Sequence, residues 1–234
     1  MTDKYLHPLA GAFERVKRAG EHLADLRPLV EAMRQQQEQV FLAHFDANPF
    51  YQGALPDPMP ASMRVPILVG EICYNLRNAL DYLVFELAKR GSGTPQKNTQ
   101  FPIVDAPEQF PPERDGRLKG VSDPHVTMIE RLQPYNGSEW TRSLREVSNP
   151  DKHREFTAMR GYGRGMAYAP TDPEYESLAL PIRRMRNPDA GEMDVKVDLA
   201  WTVHFAEGPP VVETLELVQL KIFETLTAFE TAFT

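Results

Sequence analysis

The sequence predicts an α+β fold: a helical bundle built on a long central helix at about 67–89 and a C-terminal helix at about 211–233, with an antiparallel β-sheet from the second half. Three patterns predict it. Val69, Ile72, Cys73, Leu76, Leu80, Leu83, Val84 and Leu87 keep one apolar stripe at three- and four-residue steps. Val211, Leu215, Val218, Ile222, Leu226, Phe229 and Phe233 form a second such stripe. Val195, Val197, Leu199, Trp201, Val203 and Phe205 instead alternate with polar or small residues, the period of a strand with one wet face. With 234 residues, 41% of them hydrophobic and 25% charged, the chain has enough apolar surface for one domain spanning 1–234.

The first helix is expected from Leu9 to about Met33, where Leu9, Phe13, Val16, Ala19, Leu23, Leu26 and Val30 recur at helical spacing. Pro28 removes a backbone donor and should kink or split it. The short apolar run at 39–45 fits helix or strand equally, and a proline-rich loop follows to Pro66. The central helix should stop at Lys89-Arg90-Gly91-Ser92-Gly93, since cations suit the last turn and glycine suits a left-handed cap. Phe101–Val104 reads as a short extended segment before a second proline-rich loop. Further helices are expected at Asp123–Leu132, with Asp123 as cap and Pro124 in the first position, and at Thr141–Val147. Strands are expected at Phe156–Met159, Leu178–Ile182 and Val195–Phe205.

Composition removes several classes of function. A net charge of −7 argues against a molecule that binds nucleic acid over its whole surface, although basic residues concentrate between Arg142 and Arg186. The single cysteine, Cys73, excludes an internal disulfide and a cysteine zinc cage. No run of about 18 apolar residues suggests a membrane span, and the first residues lack a secretory signal pattern, so a cytoplasmic protein is expected. Walker loops, dinucleotide-binding glycine runs and nucleophile elbows are absent. The six histidines never fall at i, i+4, and no metal or cofactor is expected. Gly161-Tyr-Gly163-Arg-Gly165 can be a phosphate cradle or, more simply, a turn between strands.

Two segments carry candidate chemistry. On the central helix, Glu71, Asn75, Asn78 and Tyr82 fall within about 60° of one another, away from the apolar stripe, as a row of hydrogen-bonding side chains. Arg77 and Asp81 stand at i, i+4 on the other shoulder and can pair. The row reads either as one wall of a ligand site or as a network tying the helix to its neighbours. The second segment, Ser148 to Arg154, packs Asp151, Lys152, His153 and Arg154 together. His153 can exchange protons near neutral pH, and Lys152 or Arg154 can hold an anion. The alternative is a capped, salt-bridged turn.

The run Gly70-Glu71-Ile72 through Asn75-Leu76-Arg77-Asn78-Ala79-Leu80-Asp81-Tyr82-Leu83-Val84 resembles a family of bacterial and phage proteins of about this length. Phe101-Pro102-Ile103, Leu132-Gln133-Pro134-Tyr135 and Asn149-x-Asp151-Lys152-His153-Arg154 follow in the same order. That resemblance implies no particular activity. The central helix is also similar to the Arg-x4-6-His helix of HEPN proteins, helical domains that often dimerise and in many cases cleave RNA without metal. Arg77 occupies the arginine position and Tyr82 stands where the histidine would be. A phenol does not shuttle protons near neutral pH as imidazole does, so the proton carrier would have to be His153.

The combined expectation is a HEPN-like homodimer, free of membrane, that binds RNA or a nucleotide in a polar groove. Catalytic roles fall to His153, Arg77 and Asp151, and ligand binding to Glu71, Asn75, Asn78, Tyr82, Lys152 and Arg154. The rival is a non-catalytic protein that binds another protein.

Overall fold

The computed structural model describes residues 7–47, 62–152, 159–168, 182–187, 191–205 and 208–233. In chain order the helices are α1 (Ala10–Ala47), α2 (Arg64–Ser92), α3 (Phe110–Arg117), α4 (Asp123–Arg131), α5 (Glu139–Lys152) and α6 (Val211–Glu230). The strands, between α5 and α6, are β1 (Met159–Tyr168), β2 (Ile182–Asn187) and β3 (Gly191–Phe205). Contacts divide the chain into two units: residues up to Leu26 with 63–158 and 211–234, and residues 27–62 with 159–210.

The first unit is helical, and its core follows from the two stripes. Ile72, Leu76, Leu80, Leu83 and Leu87 of α2 are buried, as are Val218, Ile222, Leu226 and Phe229 of α6. Leu23 and Leu26 of α1, Ile129 of α4 and Leu144 of α5 complete it. The Gln219 side-chain amide on α6 donates to the Val16 carbonyl on α1 at 3.2 Å, and Phe13 meets Phe223 edge to face. α2 ends as its sequence requires, with Lys89 and Arg90 in the last turn and Gly93 at φ +75°. Just before it, Gly91 lies so close to the Gly120 carbonyl oxygen that a Cβ there would collide with it.

In the second unit β3 pairs antiparallel with both β1 and β2 in the order β1-β3-β2. The register sets Val203, Trp201 and Leu199 opposite Gly161, Gly163 and Gly165, so the glycine run lies within β1 rather than forming a turn or a cradle. β2 contributes Arg183, Arg184 and Arg186.

The α+β class expected from the sequence is corrected here, because the chain is mostly helical. The alternation in β3 is real, but Leu199, Trp201 and Val203 stand opposite glycines of β1, and the strands make up a small share of the chain beside its six helices. Helices meanwhile occupy more of the chain than periodicity suggested. α1 continues past Pro28 to Ala47, so 39–45 is helical, and the two units part next to that proline. α3 begins in the second proline-rich stretch, where prolines at the first positions cost no hydrogen bond. α5 reaches Lys152 rather than stopping at Val147.

The extended segment Phe101–Val104 has no strand partner, so its backbone must be satisfied by side chains. Gln133 does half of this while fully buried. Its side-chain oxygen accepts from Val104 N at 3.0 Å, and its amide nitrogen donates to the carbonyls of Pro102 and Ile129, each at 3.0 Å. Thr141 ties the following turn by donating to the Leu132 carbonyl at 3.0 Å.

Gln133→Ala should strand the Val104 amide and the Pro102 carbonyl in a dry interior, at about 2–4 kcal/mol together. For a chain of this size that corresponds to a Tm lower by about 5–12 °C, read by thermal denaturation followed by circular dichroism.

Candidate functional site

The two faces of α2 that carry the sequence candidates meet different surroundings. The row of Glu71, Asn75 and Tyr82 is met by α1. Asn75 is buried, and its amide donates to the Glu71 carbonyl at 2.8 Å while its oxygen accepts from Arg15 Nη1 at 3.2 Å. Arg15 also lies 5.8 Å from the Tyr82 ring centroid and 6.0 Å from that of Tyr74. His22 Nδ1 stands 3.5 Å from the Glu71 carboxylate, and Gly11 leaves room for the edge of the Tyr82 ring. Asn78 is half-buried in the same row. These contacts are what the tying-network reading requires, although Glu71 and Tyr82 keep exposed surface.

Arg77 projects to the opposite side and is nine-tenths buried, with 9% exposure. Its Nη2 donates to the Phe101 carbonyl. Asp81, one turn on, accepts from the Phe101 amide at 2.9 Å and lies 3.8 Å from Arg77 Nε. One residue of the extended segment is thus held at both of its backbone polar groups by an i, i+4 pair. Arg77 Nε is buried and has no hydrogen-bond partner among the described residues. Burial lowers its pKa from the usual arginine value, with Asp81 opposing the shift and Arg117 adding to it.

Beside this clamp is a cavity of about 330 Å³. It is lined by Arg77 from α2, residues 100–104, Glu113 and Arg117 from α3, and Arg145 and Ser148 from α5. Arg117 pairs with Glu113 along α3. Arg145 Nη1 meets the Asp105 carboxylate at 2.7 Å, and Arg142 Nε reaches its other oxygen at 3.2 Å. Hydrogen bonding from Arg145, then from Arg142, holds the Asp105 carboxyl below its ordinary range. A carboxylate lowered in this way contributes stability above its unfolded pKa and loses it as pH falls through the folded value, so the contact is ionised at neutral pH.

The remaining sequence candidates divide in two. Asp151 and Lys152 lie in the last turn of α5, three and four residues beyond Ser148 in the helix that lines the cavity. His153 and Arg154 lie outside the described residues. Sequence reading singled out Arg77 and placed Arg145 in a basic stretch, but missed Arg117 and Glu113. Those two sit on a two-turn helix inside a proline-rich stretch, too short for periodicity to announce. Among the described residues no group of three or more His, Cys, Asp or Glu side chains is placed to hold a metal ion, and no helix is long and apolar enough to cross a membrane.

Asp81→Ala should free the Phe101 amide and leave the Arg77 cation buried without its carboxylate, costing about 3 kcal/mol. Glu71→Gln, on the exposed side of α2, should cost under about 1 kcal/mol. Urea denaturation of both variants checks the contrast. No family model matches the chain, and no curated protein or solved structure does.

Proposed function

We propose that this protein binds an anionic ligand, RNA or a nucleotide, at the arginine cluster around residues 100–105. The observation that supports this reading is the convergence of Arg77, Arg117 and Arg145, from three helices, on one cavity. The chain carries a net charge of −7, so gathering three guanidinium groups runs against its overall charge and favours a local anion over general adhesion to polyanions. Guanidinium groups recognise phosphate through paired donors as well as charge. The resemblance of the Arg77 helix to HEPN proteins points to the same class of ligand. Asp151 and Lys152, in the last turn of α5, and His153 and Arg154, next in the sequence, are the further candidates of this reading.

Arg142→Ala and Arg145→Ala should each weaken binding of a short single-stranded RNA by about tenfold, and rising salt should weaken it further. Fluorescence anisotropy at several salt concentrations reads both effects. Absence of binding to RNA and to nucleotides at low salt contradicts the proposal. If the RNA is cut, His153→Ala should abolish cleavage while largely preserving binding, and Tyr82→Phe should cost little.

The homodimer part of this reading draws on α6. Leu217, Leu220 and Phe223 are each about half exposed and follow one another at three-residue steps. Pairing of two copies through this stripe is the homodimer proposed here. Light scattering at micromolar concentration should then give twice the chain mass, and Leu220→Glu should return it to one.

A further inference from the structure

The unsatisfied nitrogen of Arg77 narrows the ligand beyond "anionic". A buried N–H donor without an acceptor costs about 1–3 kcal/mol, and more for a charged group. Its 3.8 Å separation from Asp81 supplies Coulomb attraction but no hydrogen bond. The same guanidinium lines the cavity, with Arg117 and Arg145 as the other cations of its lining. A ligand oxygen that enters therefore meets guanidinium groups carried by α2, α3 and α5.

We infer that the cavity is a pocket for a terminal phosphate, a phosphomonoester, rather than a track for the sugar-phosphate backbone. This rests on the anion-binding reading above. A phosphomonoester has three unsubstituted oxygens and a single ester arm, so its free oxygens can reach toward the nine-tenths buried Arg77 while the one arm leaves by the mouth of the cavity. A bridging phosphodiester has two arms and only two free oxygens, and both arms must thread the opening. The volume of about 330 Å³ lies at the small end of ligand pockets and suits one nucleotide unit. The phosphomonoester can come from a free mononucleotide or from a phosphorylated end of RNA.

The test compares AMP, adenosine, inorganic phosphate and one short RNA carrying a 5′-phosphate, a 3′-phosphate or neither, by calorimetry on the whole chain. AMP should bind at least about tenfold tighter than adenosine, and one phosphorylated RNA at least about tenfold tighter than the unphosphorylated one. Inorganic phosphate should compete with both. The tighter of AMP and RNA identifies the source. Because Arg77 also holds Phe101, Arg77→Lys can fail to fold. Arg117→Gln and Arg145→Gln lie outside that clamp and should each remove most of the preference for the phosphorylated form.

Equal binding of all three RNAs, with no competition by phosphate, would overturn the pocket and leave the anion-binding reading standing. A phosphate preference unchanged in both glutamine variants would overturn its location. No binding of any of these ligands at low salt would overturn both readings.

Discussion

A guanidinium buried inside a helical core must be satisfied by acceptors that water no longer supplies, and Arg77 meets part of that demand by fastening α2 to Phe101. The carbonyl of Phe101 takes one donor, and Asp81 returns the connection by accepting the Phe101 amide. Gln133 anchors the far end of the same segment. Four residues without a strand partner become a fixed element. α3 and α5 line the cavity together with it. Removing either member of the i, i+4 pair releases the Phe101 end, which Gln133 does not hold.

The clamp also divides α2 by surroundings. The side bearing Asn75 is closed by Arg15, and the contacts of Glu71 with His22 and of Tyr82 with Arg15 complete a seam between α1 and α2. The side bearing Arg77 keeps a charge whose hydrogen-bonding capacity is not exhausted within the fold. Positive charge there is partly balanced by Glu113, Asp81 and Asp105, each paired with an arginine. An entering anion would rearrange existing ion pairs rather than fill an empty field, and this exchange would favour ligands with several strong acceptors over simple monoanions.

Local patterns carried as much of the fold as local patterns can. The stripes of α2 and α6 were legible because long amphipathic helices repeat one signal many times, and the pairing of Arg77 with Asp81 followed from spacing on one helix. α3 escaped because its prolines signal a loop and its eight residues offer no period. The extension of α1 through Pro28 depends on tolerance of one missing donor, which composition does not reveal. β3 was legible as a strand from its alternation, but the glycines opposite Leu199, Trp201 and Val203 follow only from the register. The cavity was only half legible, because its arginines belong to three elements and no spacing within one links them. The segment 100–104 that joins them becomes informative only once its backbone partners are known.

The most direct test of the account observes the Arg77 Nε–H group itself. Proton–nitrogen correlation NMR resolves arginine Nε–H groups, and a buried one is protected enough from solvent exchange to be seen. Titration with AMP should shift the Arg77 resonance in a saturable way, together with those of Arg117 and Arg145, as each acquires a phosphate acceptor. AMP binding that leaves the Arg77 Nε–H resonance unmoved would contradict the account.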